Sequence, residues 1–316
     1  MPRFGFSLAA LGVCAFGIGV TEFAPMGLLP LIASDLAVSI PVAGLLVTGY
    51  AIGVTLWAPV VTLLTLHLPR KLLLILLMGV FTVGNFLAFA STNYWSLFGA
   101  RLLTSLCHGA LFGVGSMVAA GLALAAMRAR AVATMFMGLA VANIAGVPLA
   151  AWLGHSIGWR IPFLGIVGVG IIAMMALQWT LPAIATAGAV NIRSELNAVR
   201  RPAVVVALTA TILSSAAMFT VFTYIAPIIR EQSHGSAAFL TGTLVLYGVG
   251  LTLGNWLGGR FADRSIENTL IVVLTSLAAL LLMFAFTMNR PFPAAMSIFA
   301  WGIATFALVP PLQMQV

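Results

Sequence analysis

Glu22 sits inside an apolar run from Phe6 to Leu29 and is the only acidic side chain within any of the long apolar runs of this chain. An acidic group in hydrocarbon costs about 2.5–3.5 kcal/mol even on lenient insertion scales, so it must be protonated, paired or hydrated. A group in that position is a candidate for taking up and releasing a proton as its surroundings change. Arg101 is the one basic residue within a run. With a rise of 1.5 Å per residue, both groups lie roughly 10 Å below the same membrane face, which predicts an ion pair. A titratable carboxylate tuned by a nearby cation and a purely structural pair holding two helices together are the competing readings. Pro25 has no amide donor and leaves the carbonyl of Thr21 without its helical partner, next to Glu22; the helix is expected to bend there, as a cation or proton site or as an ordinary kink. His108 follows Arg101 by seven residues, so it falls on nearly the same helical face about 10 Å deeper, either extending a proton path or satisfied by a neighbouring helix. Asn85, Asn143 and Asn255 read as interhelical hydrogen bonders, with Asn143, close to Pro148, the candidate for lining a cavity.

The elements that must position these groups follow from composition. With 62% hydrophobic and 6% charged residues over 316 positions, the chain leaves no room for a water-facing domain and reads as an all-α polytopic membrane protein. Continuous rather than alternating apolar runs exclude an outer-membrane barrel. Spans are expected near Phe6–Leu29, Val42–Leu64, Leu72–Ala90, Trp95–Ala119, Val132–Leu153, Pro162–Leu181, Val204–Ile225, Phe239–Gly258, Thr269–Met288 and Ala294–Leu312. Small residues recur every four in the fourth and fifth of these (Ser105, Gly109, Gly113 and Gly138, Ala142, Gly146), a pattern of close helix packing.

The net charge of +8 is a membrane signature, not a nucleic-acid one, because of where it falls. Arg3, Arg70, Lys71, Arg128, Arg130, Arg193, Arg200, Arg201, Arg260 and Arg264 lie on one side, and only Arg160, Arg230 and Arg290 on the other. This excess places the amino terminus in the cytoplasm. The first run lacks a cleavage site and reads as a retained helix. Cys14 and Cys107 both fall in spans, which argues against a disulfide or metal site. The pairs Gly248/Gly250 and Gly168/Gly170 follow no strand and do not read as nucleotide loops. Gly115-Ser116 with His108 raises an intramembrane hydrolase, but eight residues along a helix separate Ser116 and His108 by about 12 Å, too far for nucleophile and base.

An internal repeat is visible. Tyr50, Gly53, Thr55 and Leu56 recur as Tyr247, Gly250, Thr252 and Leu253, all at a spacing of 197 residues, and Pro30 recurs as Pro227. The repeat predicts two six-helix halves, 1–181 and 204–316, joined by a cytoplasmic linker 182–203. About ten helices are expected in this sequence, with the partners of spans five and six falling beyond Val316.

Six plus six helices with a basic central loop resembles the major facilitator superfamily. Thr21-Glu22-Phe23-Ala24-Pro25-Met26-Gly27-Leu28-Leu29-Pro30, Arg101 to Gly109, Gly146-Val147-Pro148 and Gly158-Trp159-Arg160 are similar to its drug:proton antiporter branch, the arabinose-efflux and chloramphenicol-resistance-like group. Gly259-Arg260-Phe261-Ala262-Asp263-Arg264 is similar to the superfamily's loop signature; the equivalent stretch His67-Leu68-Pro69-Arg70-Lys71 lacks the aspartate, and Val147 replaces the glycine usual before Pro148. The resemblance implies a monomer in the bacterial inner membrane and a central cavity lined by spans one, four, seven and ten. The repeat maps Glu22 onto Phe219 and Arg101 onto Ile298, so coupling charge is expected in the first half and an apolar wall of Met26, Phe219, Phe222 and Trp301 beside it. Pro25, Pro148, Gly259, Asp263 and Arg264 are the expected conformational positions. The implied function is proton-coupled efflux of small organic molecules, drugs or sugars, driven by the proton gradient with no cofactor; a passive facilitator is the alternative.

Overall fold

Proline placement and the absence of water decide how these segments end. In the computed structural model, which describes residues 2–124, 127–182, 202–262 and 264–314, helix α1 runs unbroken over Pro2–Asp35 through both Pro25 and Pro30. It extends past the end expected at Leu29, because in hydrocarbon losing one backbone hydrogen bond is cheaper than ending a helix and orphaning several. Helices α2 (Ile40–Leu64), α3 (Arg70–Phe89) and α4 (Tyr94–Leu122) follow. The start of α4 is fixed by a reciprocal cap in which the Asn93 side chain accepts from the Ser96 amide and the Ser96 hydroxyl accepts from that of Asn93. The fifth span is composite: α5 (Arg128–Val141), a π turn at Ala142–Gly146, then α6 (Val147–Ile157). The wider turn falls just before Pro148, where the missing amide upsets the α-helical ladder. Helix α7 spans Ile161–Thr180.

Beyond the linker, most of which lies outside the described residues, come α8 (Pro202–Phe222), a single turn at Ile225–Pro227 running into a second π turn at Ile228–Gln232, α9 (Ala237–Ala262), α10 (Ile266–Thr287), α11 (Pro291–Ala307) and α12 (Val309–Met314). The span expected at Ala294–Leu312 is therefore divided near Leu308. Nine of the described helical segments are long and apolar enough to cross a membrane.

The described residues fall into two compact units, with Asn143–Pro148 grouped with the second and the rest of α1–α7 forming the first. In the first, α1 packs on α5 and α7, and α4 on α2 and α3. Small residues set the separations. A Cβ added to Gly138 would overlap the Gly12 carbonyl of α1, and one at Gly109 would overlap Ala58 of α2; Gly113, from the same sequence stripe, faces open space. In the second unit Gly250, Gly254 and Gly258 of α9 lie directly on the backbone of α11 at Phe299, Ile303 and Ala307. The repeat reappears here as packing: Gly53 backs onto Ser105, and 197 residues on, Gly250 backs onto the Phe299–Gly302 turn.

Gly138→Ala is expected to cost about 1–3 kcal/mol because backbone, not a flexible side chain, must move, and Gly113→Ala nearly nothing. Thermal unfolding of the two variants in detergent checks this: a clear drop in Tm for the first alone is the expected result.

Candidate functional site

The site is assembled around the carbonyl of Thr21, which Pro25 deprives of its helical donor. Arg101 of α4 donates to it from Nη1 at 2.7 Å. The Thr21 hydroxyl meets Asn85 Oδ1 of α3, and Asn85 in turn donates to the Phe81 carbonyl at 2.9 Å. One residue of α1 is thus held from two neighbouring helices. Beyond that anchor the Arg101 guanidinium lies over the ring of Tyr50 from α2, 4.2 Å from its centroid, and is only 2% exposed. The Tyr50 hydroxyl is 2.9 Å from Nδ1 of His108. Nε2 of the same imidazole stands 4.0 Å from Oε2 of Glu22, closing a ring of contacts back to the residue after Thr21. Nε and Nη2 of Arg101 are buried and make no hydrogen bond among the described residues.

This corrects the expected pairing. Glu22 and Arg101 form no ion pair within 4.0 Å, whereas His108 Nε2 stands at that distance from the Glu22 carboxylate. The reason is directional. Side chains lean toward the amino-terminal end of their own helix. Spans one and four cross the membrane in opposite senses, so Glu22 leans toward the level of His108 while Arg101 leans away. His108, seven residues along the same unbroken helix from Arg101, faces the carboxylate, and its ring packs on Phe112, 5.2 Å between centroids. Tyr50, which bridges the cluster, is absent from the sequence-derived site; the signal for it was a polar-tipped aromatic inside a span, flanked by Gly49 and Gly53.

Other expected positions fall elsewhere. Met26 is fully buried in the first unit. In the second, Phe222 stacks on Tyr247 at 4.3 Å and Tyr247 lies 5.4 Å from Trp301, while Phe219 is half-buried on α8. Asn143 is buried within the π turn preceding Pro148. Gly259 is in the last turns of α9 and Arg264 is exposed in the turn after it; Asp263 lies outside the described residues. The Gly158-Trp159-Arg160 motif forms a corner in which Asp35 Oδ2 accepts from Trp159 Nε1 at 3.1 Å and from Arg160 Nη1 at 2.7 Å, with Arg160 Nε donating to the Ser91 carbonyl. Gly158 supplies the required left-handed turn, φ +112°. Among the described residues no three His, Cys, Asp or Glu side chains gather to hold a metal ion.

A family model described as the Major Facilitator Superfamily matches residues 11–316. The chain belongs to the major facilitator superfamily. It is 49% identical over 314 residues to the inner membrane transport protein YdhP of Escherichia coli K12, covering 99% of this chain and 81% of that protein. A chloramphenicol resistance protein of Streptomyces lividans is 31% identical, covering 95% of this chain and 77% of its own. A probable sugar efflux transporter of Helicobacter acinonychis is 29% identical, covering 100% and 80%. The fold is shared with the xylose transporter XylE of E. coli in a partially occluded inward-open form, TM-score 0.75 at 14% identity, covering 100% of this chain and 84% of that one. Membership of this superfamily makes the chain a multi-pass inner-membrane transporter of small molecules, in a family of transporters rather than enzymes.

The capping of Thr21 by Arg101 is testable as a cycle. Arg101→Ala is expected to lose about 1–3 kcal/mol by orphaning a buried carbonyl. Adding Pro25→Ala restores an amide donor to that carbonyl, so the double variant is expected to melt higher than Arg101→Ala alone. Strict additivity of the two changes in Tm would contradict the assignment.

Proposed function

We propose that this transporter is a proton-coupled exporter, an antiporter that exchanges protons for small organic molecules by alternating access. The observation carrying the reading is the carboxylate of Glu22, 19% exposed, within 4.0 Å of His108 and beside the carbonyl that Arg101 caps. A passive facilitator has no use for a titratable group at that depth, where it costs free energy and must be held by neighbours. Arg101 brings spare donors: with Nε and Nη2 unpartnered among the described residues, it offers the ionised carboxylate a second resting place. A proton arriving from outside neutralises Glu22 and removes the attraction to Arg101. Substrate from the cytoplasm then favours release of that proton, and exchange follows from competition for one charge state.

For the substrate, the reading rests on the aromatic side chains Phe219, Phe222 and Trp301 of the second unit, which suit amphipathic, uncharged or cationic compounds. The names of two relatives, a chloramphenicol resistance protein and a probable sugar efflux transporter, support efflux as the direction. The excess of basic residues on the amino-terminal side supports a cytoplasmic amino terminus, and the protein is read as working as a monomer.

In inverted membrane vesicles preloaded with acid, chloramphenicol and a panel of sugars are added and lumenal pH is followed. The wild type is expected to alkalise the lumen with its substrate, and Glu22→Gln to lose that signal while retaining substrate exchange. Arg101→Ala is expected to lower the rate by at least tenfold, corresponding to about 1.4 kcal/mol or more. Substrate movement by the wild type with no pH change would establish a facilitator instead.

A further inference from the structure

Tyr50 touches both sides of the charged cluster, and neither the proposed coupling nor the relatives assign it a part. Its ring carries the Arg101 guanidinium at 4.2 Å, its hydroxyl is 2.9 Å from His108 Nδ1, and the whole side chain is buried. The titratable and charged groups facing the imidazole are Glu22 from α1, Tyr50 from α2 and Arg101 from α4 itself. The adjacent Cys107 thiol is already spent on the Thr104 carbonyl. A phenol hydroxyl can donate or accept, so by itself it fixes nothing. The cation over its ring decides the matter. A guanidinium on the π face draws electron density from the ring and makes the hydroxyl a better donor. A hydroxyl that donates to Nδ1 leaves the single proton of the neutral imidazole on Nε2, the nitrogen that faces Glu22.

We infer that Tyr50 is a positioning residue of the proton site: it holds His108 as the Nε2–H tautomer, so that the imidazole presents this N–H toward Glu22 across 4.0 Å and the exchangeable proton stays on the carboxylate. The inference rests on the coupling reading and deepens it. The charge balance is simple. The Nε2–H dipole faces Glu22 whether the carboxyl group is ionised or protonated. One proton joins or leaves the carboxyl group, and His108 gains and loses none. This differs from a relay in which the histidine takes the proton from the carboxylate.

The internal repeat supplies the control. Tyr247 is the counterpart of Tyr50, but its ring lies against Phe222 and Trp301 and its hydroxyl makes no hydrogen bond among the described residues.

The test reads the imidazole directly and needs no substrate. In purified protein labelled with ¹⁵N at its four histidines, with His108 identified by its loss in His108→Gln, the wild type is expected to show the Nε2–H tautomer alone at neutral pH. Tyr50→Phe, which keeps the ring under Arg101, is expected to show a mixture, and Tyr247→Phe the wild-type pattern. In parallel, the carboxylic-acid infrared band that disappears in Glu22→Gln is titrated. With a donor lost, its midpoint in Tyr50→Phe is expected to move toward alkaline pH by about one unit, and not to move in Tyr247→Phe. A wild-type His108 found as Nδ1–H or as imidazolium, or a midpoint unmoved in Tyr50→Phe, would overturn the inference while leaving antiport standing. Absence of substrate-linked proton movement in vesicles with the Nε2–H tautomer intact would overturn antiport and leave the positioning role.

Discussion

Two deficits cancel at the contact between Arg101 and the Thr21 carbonyl, and the arrangement of the first unit depends on that cancellation. A guanidinium within hydrocarbon needs acceptors, and few exist there besides backbone oxygens already engaged in helices. Pro25 supplies one by failing to donate. The resulting bond of 2.7 Å ties α4 to α1 at one residue, and the same residue's hydroxyl meets Asn85 of α3. Glu22 is next along the chain, so its backbone is fixed by an interaction in which its own side chain takes no part. The carboxylate is left free to change its charge without the helices losing their registration.

Close approach of α2 makes the rest of the cluster possible. Gly49 and Gly53 flank Tyr50, and a Cβ at either would run into Phe98 or Ser105 of α4. Gly109 of α4 gives the same clearance to Ala58. Without these glycines α2 would stand off by the width of a methyl group, and the Tyr50 ring would not reach the Arg101 guanidinium and the His108 imidazole together. The small-residue spacing therefore serves chemistry through geometry.

What the sequence disclosed, it disclosed through rules with little freedom. Hydropathy marks a helix in lipid almost unavoidably, and a lone glutamate, a lone arginine and a proline four residues after a threonine carry their consequences wherever the chain goes. The partner of Glu22 was not legible, because depth along the axis counts Cα positions and the tilt of side chains decides which of two near-equal candidates is reached. The end expected at Leu29 fell short because a helix in hydrocarbon runs on, here through Pro30 to Asp35, where stopping would orphan several backbone groups. Tyr50 was in view as a repeat marker, but its role depends on a ring in one helix meeting a cation in another, and no local pattern records that.

The repeat shows how the same scaffold carries charge in one unit and none at the equivalent places of the other. Tyr50 and Tyr247 occupy matching positions, each three residues before a matching glycine, Gly53 or Gly250, yet Arg101 is replaced by Ile298, His108 by Thr305 and Glu22 by Phe219. Thr305 turns its hydroxyl back on the Trp301 carbonyl, and Tyr247 is held by stacked rings instead of a guanidinium. Burying a second set of ions would cost several kcal/mol per charge before any pairing returned it, while aromatic residues fill the same volume and satisfy themselves by contact. Keeping the ions together in one unit leaves each within reach of the few groups able to neutralise it. The tyrosine common to both units follows its neighbours: beside a cation it becomes part of an electrostatic cluster, and beside indole and phenyl rings it becomes packing.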